Sequence, residues 1–374
     1  MNSSLPKELI FSLGAHEKIA DLISKYGKRV YILRAGDSFK NSSWAKRIVE
    51  SIKKSELNFL ISKPITSEPD LSIAKEILKE ARDFKADVIC GIGGGSVMDL
   101  AKIVAVLFNE SFNDISDYLY SKAIKAERIG LVLMATTSGS GSEVSSSAVL
   151  KDNIRKEKRG IRNRRLKADV AVVDPIITLT LNRDNTLYPS LDALTHAIEA
   201  YVSIDSNIAS SISAKRAAYL IYNNLNKVLL NPSNIELRKS LSLASLLAGI
   251  SFSWAGLGLA HALSHPIGAI YDLPHGLVNA IIIPYVVEFN YSLVRERYED
   301  LIFDKRYNSL YNLLKSWFRT LGLPSSFKEL NLDLDGSLKE KIVISTLNSG
   351  VLKYNPKHVK REDVYHILDR LWEK

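Results

Sequence analysis

The chain has 374 residues, of which 46% are hydrophobic and 24% are charged. These values exclude a disordered chain and leave room for two domains, each with its own core. The formal net charge of +9 suggests an acidic partner such as nucleic acid. However, the basic residues are scattered apart from a modest cluster over 151–167, and no aromatic-interleaved groove accompanies that cluster. We therefore expect no nucleic-acid binding.

The single cysteine excludes an internal disulfide framework and indicates a reducing compartment. Cys90 lies in an apolar, strand-like run, which predicts a core residue. The N-terminus has no basic segment followed by a long apolar one, so we expect no signal peptide and a cytoplasmic location. Glutamine is absent while Lys, Glu and Ile are plentiful, which hints at a heat-adapted protein.

Short apolar runs alternate with helical patterns over the first half of the chain. This alternation predicts a parallel sheet flanked by helices. The predicted strands are 29–36, 57–62, 86–92, 128–137 and 168–175, and the predicted helices between them are 43–55, 69–84 and 96–108.

After Pro175 the strand-like runs stop, and nearly everything to Lys374 has a helical pattern with short breaks. The shift predicts a boundary within 178–182. We therefore expect an α/β Rossmann-like nucleotide-binding domain over 1–180 and an all-α domain over 181–374.

The segment from Ser240 to Tyr271 contains no Asp, Glu, Lys or Arg and is long enough to span a bilayer. It also contains repeated Gly and Ser, two histidines and a proline. These residues favour a buried helix pair over a membrane span, so we expect no membrane association.

A glycine cluster stands between a predicted buried strand and a predicted helix in "ICGIGGGSVMDLAK" (Ile89–Lys102). Glycines there let a bulky anion approach the backbone, and the N-terminus of the helix presents free N–H groups. Ser96 is a candidate cap for that helix. The cluster is not spaced as the usual dinucleotide fingerprint, and a simple tight turn is the alternative.

A second loop rich in donors follows the next strand, in "ATTSGSGSEVSSSAV" (Ala135–Val149), with six serines and two threonines. Turn chemistry alone explains such a composition. Two donor-rich loops at the carboxyl ends of successive strands nevertheless favour a ligand, because open parallel sheets bind ligands there.

The metal hypothesis starts from "LDALTHAIEAYVS", which places Asp192 and His196 four residues apart on one helix face. Four of the seven histidines fall within 80 residues of one another, and His261 and His265 repeat the same spacing. His275 follows in a predicted turn. A lone histidine in an apolar helix is usually a hydrogen-bonded core residue, but this many buried polar groups favour a shared cation.

Pro266 follows His265 directly and is expected to disturb the second helix.

Taken together, these motifs resemble the iron-containing (group III) alcohol dehydrogenase family. The resemblance rests on "GGGSVMDLAK", "TTSGSGSEVSSSAVL", "ADVAVVDP", "LDALTHAIEAYVS" and "HALSHPIGAIYDLPHGLVNAIIIPYVVEFN", in this order. It covers the motifs from about Leu13 to Asn290 and extends more loosely to the end of the chain.

The resemblance implies a metal, iron or zinc, and a nicotinamide cofactor. The implied metal ligands are Asp192, His196, His261 and His275, with His265 as a nearby proton-relay residue. The implied cofactor residues are Gly36, Asp37, Ser38, Gly94, Gly95, Ser96, Asp99, Thr136, Thr137, Ser140, Ser145 and Lys158. The implied reaction interconverts a small alcohol and its aldehyde or ketone, by hydride transfer to a metal-bound carbonyl.

The sequence departs from the family in two places. Ser190 replaces a glycine that usually stands two residues before the ligand aspartate, and we expect the effect at the start of that helix. After the first predicted strand, Arg34, Gly36 and Ser38 resemble members that accept NADP, whereas Asp37 resembles those that prefer NAD. The balance slightly favours NADP.

The main alternative is a different enzyme on the same dehydroquinate synthase-like scaffold, either dehydroquinate synthase itself or glycerol-1-phosphate dehydrogenase. An anionic phosphate substrate needs basic residues near the histidines, and no Lys or Arg lies between Lys239 and Arg295. A neutral alcohol or aldehyde is therefore favoured. A non-catalytic nucleotide-binding protein with a structural metal is the third possibility. The resemblance also implies a homodimer or larger homo-oligomer.

Overall fold

The computed structural model describes residues 5–66, 69–111, 114–120, 123–153, 155 and 157–373, without the side chains of Asp37, Ser38 and Glu157. The chain forms two compact units. The first contains Met1–Asn182 and Pro232–Leu246, and the second contains Arg183–Asn231 and Leu247–Lys374. The sequence pattern did not assign 232–246 to the first unit.

The first unit contains a six-stranded parallel sheet in the order β1-β8-β5-β4-β2-β3. Its strands are β1 (Glu8–Phe11), β2 (Arg29–Ala35), β3 (Asn58–Ile65), β4 (Val88–Gly93), β5 (Gly130–Ala135) and β8 (Val170–Val173). Its helices are α1 (Ile19–Ser24), α2 (Asp37–Asn41), α3 (Ser43–Lys54), α4 (Leu71–Asp83), α5 (Gly95–Leu107) and α6 (Ser116–Tyr120). The predicted parallel α/β architecture is confirmed.

The remainder of the chain is helical, as predicted, and the described residues after Val173 form no strand. The helices are α7 (Arg183–Val202), α8 (Ile208–Leu230), α9 (Ile235–Ala255), α10 (Leu259–Tyr271), α11 (His275–Glu299), α12 (Leu310–Thr320), α13 (Gly336–Leu347) and α14 (Arg361–Leu371).

Alternate residues of the central strands enter two separate apolar clusters, because successive side chains of a strand point to opposite faces of the sheet. One cluster includes Tyr31, Leu33, Ile89, Leu131 and Leu133, and the other includes Val30, Ile32, Val88, Cys90 and Val132. Cys90 is a core residue, as predicted, and its burial raises the pKa of the thiol to about 12.

Helix α5 packs closely on strand β4 because Gly91 has no side chain. A β-carbon at Gly91 would lie 2.7 Å from Cβ of Ala101, a distance that real packing does not allow. This close approach fixes the start of α5, and with it the glycine turn, at the carboxyl end of β4.

Three strands were not predicted from the sequence. The edge strand β1 pairs with β8, and β6 (Ser147–Asp152) and β7 (Glu157–Arg162) form an antiparallel hairpin. The hairpin contains much of the basic cluster, and β6 alternates between buried and partly exposed residues. Its short, mostly polar strands lack the apolar runs that revealed the central sheet.

The charge-free segment forms helices α9 and α10, which are bent by 109° at a short break. This confirms the predicted helix pair. Among the described residues, α11 is the one helix long and apolar enough to cross a membrane, and 67% of that apolar window is buried inside the protein. Because α11 also begins with a polar histidine beside Asp192, its apolar residues are best explained as core.

Pro266 does not disturb α10, contrary to the prediction from its sequence, since the helix runs without a break to Tyr271. Proline cannot donate to the carbonyl four residues earlier, which here belongs to Ala262. The hydroxyl of Thr346 donates to that carbonyl at 3.4 Å. A replacement donor from α13 therefore satisfies the group that the proline leaves without its helical partner.

Candidate metal centre and cofactor loops

Helix α7 presents Asp192 and His196 on one face, as their spacing predicts. Both are buried, with 8% and 5% of their surface exposed. Ser190, which replaces the family's glycine, lies inside this helix and not at its start, so the predicted effect at the helix start is wrong. Its buried hydroxyl donates to the carbonyl of Thr186 at 2.7 Å.

The start of α11 lies directly against α7. A β-carbon at Gly276 would stand 1.8 Å from the carbonyl oxygen of Tyr188, so only glycine permits this approach. His275 is the first residue of α11, and not a turn residue as predicted. The contact brings its side chain to Asp192, one turn beyond Tyr188 on α7.

Three imidazoles converge on one carboxylate oxygen. Oδ1 of Asp192 lies 3.7 Å from Nε2 of His196, and 3.6 Å from Nε2 of both His261 and His275. Ligand atoms of Asp192, His261 and His275 all lie within 4.8 Å of one another. His196 stands outside that group of three, but its ring stacks on His261 with centroids 4.6 Å apart.

These separations fit a shared ion better than direct hydrogen bonds. A donor–acceptor distance above 3.5 Å is too long for a hydrogen bond. Two atoms that each lie about 2.1 Å from one tetrahedral ion are about 3.4 Å apart. One carboxylate oxygen and three imidazole nitrogens are also a donor set that divalent transition metals accept. The residues present therefore fit a bound metal.

The local charges also favour a cation. Burial raises the pKa of Asp192, but His196, His275 and His261 outweigh it and hold that pKa well below its usual range. Burial lowers the pKa of His261, but Glu199 and Asp192 outweigh it and raise that pKa to about 9. The two carboxylates thus stabilise positive charge at this point.

Two contacts of this cluster were missed by sequence reasoning. A carboxylate oxygen of Glu199 lies 2.5 Å from Nδ1 of His261, and Nδ2 of Asn279 donates to Oδ1 of Asp192 at 2.8 Å. Both residues follow a predicted ligand at helical spacing: Glu199 three residues after His196, and Asn279 four after His275. That spacing was the available signal.

His265, the predicted proton-relay residue, lies next to the cluster. Its ring stacks on His275 with centroids 5.4 Å apart, and it faces the edge of His261 at 6.2 Å. It is partly exposed, whereas His261 is buried. The position agrees with a group between the cluster and solvent, and its role in proton transfer stays a prediction.

In the first unit, the glycine turn and the donor-rich loop are in contact. A β-carbon at Gly94 would lie 3.3 Å from Oγ1 of Thr137, and one at Gly95 would lie 2.9 Å from Cβ of Ser140. Helix α5 begins at Gly95 without a side-chain cap, so the capping role expected for Ser96 is wrong. The N–H groups of its first turn therefore lack a side-chain cap and remain available as donors.

Asp99 and Ser145 belong to an internal network that the sequence did not predict. Lys102 is fully buried and donates to Oγ of Ser142 at 2.7 Å, Oγ of Ser145 at 3.0 Å and the carbonyl of Ser147 at 2.8 Å. Asp99 accepts from Ser142 and from the backbone N–H of Val149. The network ties α5 to the donor-rich loop, and the cofactor role of Asp99 and Ser145 stays a prediction.

The remaining cofactor candidates are more scattered. Thr136 is buried at the end of β5, where its N–H donates to the carbonyl of Gly93, and Lys158 lies on β7 opposite Lys151. Gly36 follows β2 directly. The side chains of Asp37 and Ser38 lie outside the described part of the structure.

Comparison with known proteins decides the family. A family model described as "Iron-containing alcohol dehydrogenase" matches residues 6–175, and one described as "Fe-containing alcohol dehydrogenase family, C-terminal" matches residues 186–372. The chain belongs to the iron-containing alcohol dehydrogenase family. The resemblance inferred from the motifs is therefore confirmed.

Similar members of the iron-containing alcohol dehydrogenase family span nearly the whole chain. The NADPH-dependent butanol dehydrogenase of Clostridium saccharobutylicum is 27% identical over 99% of this chain and 97% of its own. The NAD-dependent methanol dehydrogenase of Bacillus methanolicus is 25% identical over 98% of both chains. The solved structure of an iron-containing alcohol dehydrogenase from Thermococcus thioreducens is 28% identical, with a TM-score of 0.89 over 98% of both chains.

Proposed function

We propose that this protein interconverts a small alcohol and its aldehyde or ketone, with a bound divalent metal and a nicotinamide cofactor. The observation that carries the proposal is the convergence of His196, His261 and His275 on Oδ1 of Asp192, at 3.6–3.7 Å. Membership of the iron-containing alcohol dehydrogenase family supports both the metal and the cofactor.

These four side chains would hold a divalent ion, which would supply Lewis-acid polarisation of the substrate oxygen. Asp192 would provide a negatively charged oxygen ligand, and the three imidazoles would provide neutral nitrogen ligands. His265, stacked on His275 and partly exposed, is our candidate for proton exchange with solvent, because an imidazole ordinarily titrates near neutral pH. In the first unit, the turn at Gly94 and Gly95 offers backbone N–H groups to a pyrophosphate.

Iron is the metal we favour, with zinc as the other possibility, since one carboxylate and three imidazoles accept both. NADP is slightly favoured over NAD. The guanidinium of Arg34 donates to the carbonyl of Gly36 at 3.4 Å, so its positive charge lies at the carboxyl end of β2. There it could form an ion pair with the additional phosphate of NADP. The relatives include enzymes named for each cofactor.

An uncharged substrate is favoured over a sugar phosphate. No Lys or Arg lies between Lys239 and Arg295, the segment that includes His261 and His275. The named relatives act as alcohol dehydrogenases, and nothing in the cluster favours the lyase alternative. A homo-oligomer and a cytoplasmic location remain predictions, and light scattering of the purified protein tests the first.

The test is reductase activity after metal replacement. The metal-depleted protein is loaded with Fe²⁺ or Zn²⁺ and given NADPH or NADH with a panel of simple aldehydes. We expect loss of nicotinamide absorbance that needs the metal and is faster with NADPH. The variant H261A should lose that activity, whereas H366A, which changes an exposed histidine of α14, should keep it. Full activity in H261A would refute the proposal.

A further inference from the structure

Glu199 is a buried carboxylate with two defined acceptor contacts. It lies on α7 seven residues after Asp192, on the same helix face, and only 4% of its surface is exposed. One oxygen, Oε1, accepts from the backbone N–H of Ala260 at 2.6 Å. The other, Oε2, lies 2.5 Å from Nδ1 of His261.

The contact with Ala260 fixes the orientation of this carboxylate. The N–H of Ala260 lies in the first turn of α10, where backbone donors have no partner within the helix. The N-cap residue Gly258 supplies no side-chain bond, so Glu199 takes the place of a capping side chain. With Oε1 held there, Oε2 is left facing the imidazole of His261.

The contact with His261 selects one tautomer of that imidazole. A neutral imidazole has a single N–H. When Nδ1 donates it to Glu199, the lone pair belongs to Nε2, which faces Oδ1 of Asp192 at 3.6 Å. A metal ion binds the nitrogen that carries the lone pair, and carboxylate partners of ligand histidines also raise ligand basicity.

We propose that Glu199 is a positioning residue, which holds His261 in the Nδ1–H tautomer and thereby sets the affinity of the cluster for a divalent ion. This role rests on the proposed function, because it requires that the cluster binds a metal. Glu199 is not among the ligands or the cofactor residues that the family resemblance implies.

The variant E199Q changes the preferred tautomer of His261 while it keeps the shape of the side chain at position 199. Its amide oxygen can still accept from Ala260, so the start of α10 keeps its cap. Its amide nitrogen then faces Nδ1 of His261 and can only donate. Nδ1 must become the acceptor, and the proton moves to Nε2, where it blocks a metal.

The first experiment measures Zn²⁺ affinity of the metal-depleted protein by competition with a chromophoric chelator. We expect E199Q to bind Zn²⁺ about 10–100-fold more weakly than the wild type, the usual cost of losing such a partner. The matched control is D184N, which changes an exposed carboxylate on the same helix and should bind like the wild type. The affinities are compared once circular dichroism shows that all three metal-depleted proteins are folded.

A second experiment needs no variant, and it decides the question if E199Q does not fold. Nitrogen-15 histidine NMR of the metal-depleted wild type, recorded at alkaline pH where the imidazole of His261 is neutral, reports which ring nitrogen of His261 carries the proton. A proton on Nδ1 is expected, and a proton on Nε2 would overturn the proposal.

The outcomes separate this inference from the function it rests on. If the wild type binds Zn²⁺ and E199Q binds it equally well, the role of Glu199 is wrong and the metal site stands. If the wild type binds no divalent ion at this cluster, the proposed function fails, and the inference fails with it.

Discussion

A β-carbon on Gly276 would lie 1.8 Å from the carbonyl oxygen of Tyr188 and 2.5 Å from its carbonyl carbon. Helices α11 and α7 are therefore in backbone contact at the start of α11. Tyr188 lies one turn before Asp192, and Gly276 follows His275, so this contact sets the distance between two of the candidate ligands.

The variant G276A should separate the two helices. An added methyl group without space costs about 1–3 kcal/mol of stability, and here it also moves His275 away from Asp192. We expect a lower thermal midpoint together with weaker Zn²⁺ binding in chelator competition. Gly336 is the matched control, because it is also near the start of a helix and a β-carbon there meets nothing within 4 Å. Equal thermal midpoints and equal Zn²⁺ affinities of G276A and G336A would argue against this arrangement.

Thr346 should be important for stability because of its bond to the carbonyl of Ala262. The variant T346V keeps the shape of the buried side chain and leaves that carbonyl without its hydroxyl donor, which costs about 1–3 kcal/mol. We expect a lower thermal midpoint for T346V, and a smaller loss for T346S, which keeps the hydroxyl. If T346S is as unstable as T346V, lost packing and not the hydrogen bond is the cause.

Lys102 and Asp99 should be coupled energetically. Burial raises the pKa of Asp99 and lowers that of Lys102, and removing one charge leaves the other without its partner. We expect the free energy of unfolding of K102M to fall by about 3 kcal/mol or more. We also expect weaker NADPH binding, because the donor-rich loop loses its hydrogen bonds to Lys102.

The double variant D99N/K102M tests that coupling. Its loss in the free energy of unfolding, measured by urea denaturation, should be smaller than the sum of the losses of the two single variants. Strict additivity would mean that the two side chains act independently.

Asp169 should make the stability of the first unit depend on acid pH. Burial raises its pKa, but hydrogen bonds from Arg128 and Lys7 outweigh this, and the pKa is lowered. A lowered pKa stabilises the fold above the carboxyl group's ordinary pKa of about 3.9. That contribution is lost as the pH falls through the lowered value.

The variant D169N removes this contribution. Its thermal midpoint should be well below that of the wild type at pH 7, and the gap should shrink as the pH is lowered from about 5 to about 3. D21N, at an exposed position, should show no such gap. A gap for D169N that stays constant with pH would show that the carboxylate charge is not the cause.

The sequence predicted the parts of the fold that depend on local pattern. The strands around Tyr31, Cys90 and Val132 appeared as apolar runs between helical segments, and the spacing of Asp192 and His196 placed both on one helix face. The sequence also predicted two donor-rich loops at the carboxyl ends of successive strands, which parallel strands bring to one edge of the sheet.

The remaining features depend on contacts between residues far apart in the chain. Glu199 lies 62 residues before His261, and its spacing from His196 indicates a position near the cluster but not which side chain it contacts. Pro266 looked like a helix breaker because the compensating hydroxyl of Thr346 lies 84 residues from the carbonyl that it satisfies. The network around Lys102 was missed for the same reason, since its partners come from the following loop.

The most direct test is the position of the metal itself. Crystals of the protein loaded with Fe²⁺ or Zn²⁺ give an anomalous difference map at the absorption edge of the metal. We expect one strong peak about 2.0–2.2 Å from a carboxylate oxygen of Asp192 and from Nε2 of His196, His261 and His275. A peak bound by other residues, or fully loaded protein with no peak among these four side chains, would contradict it.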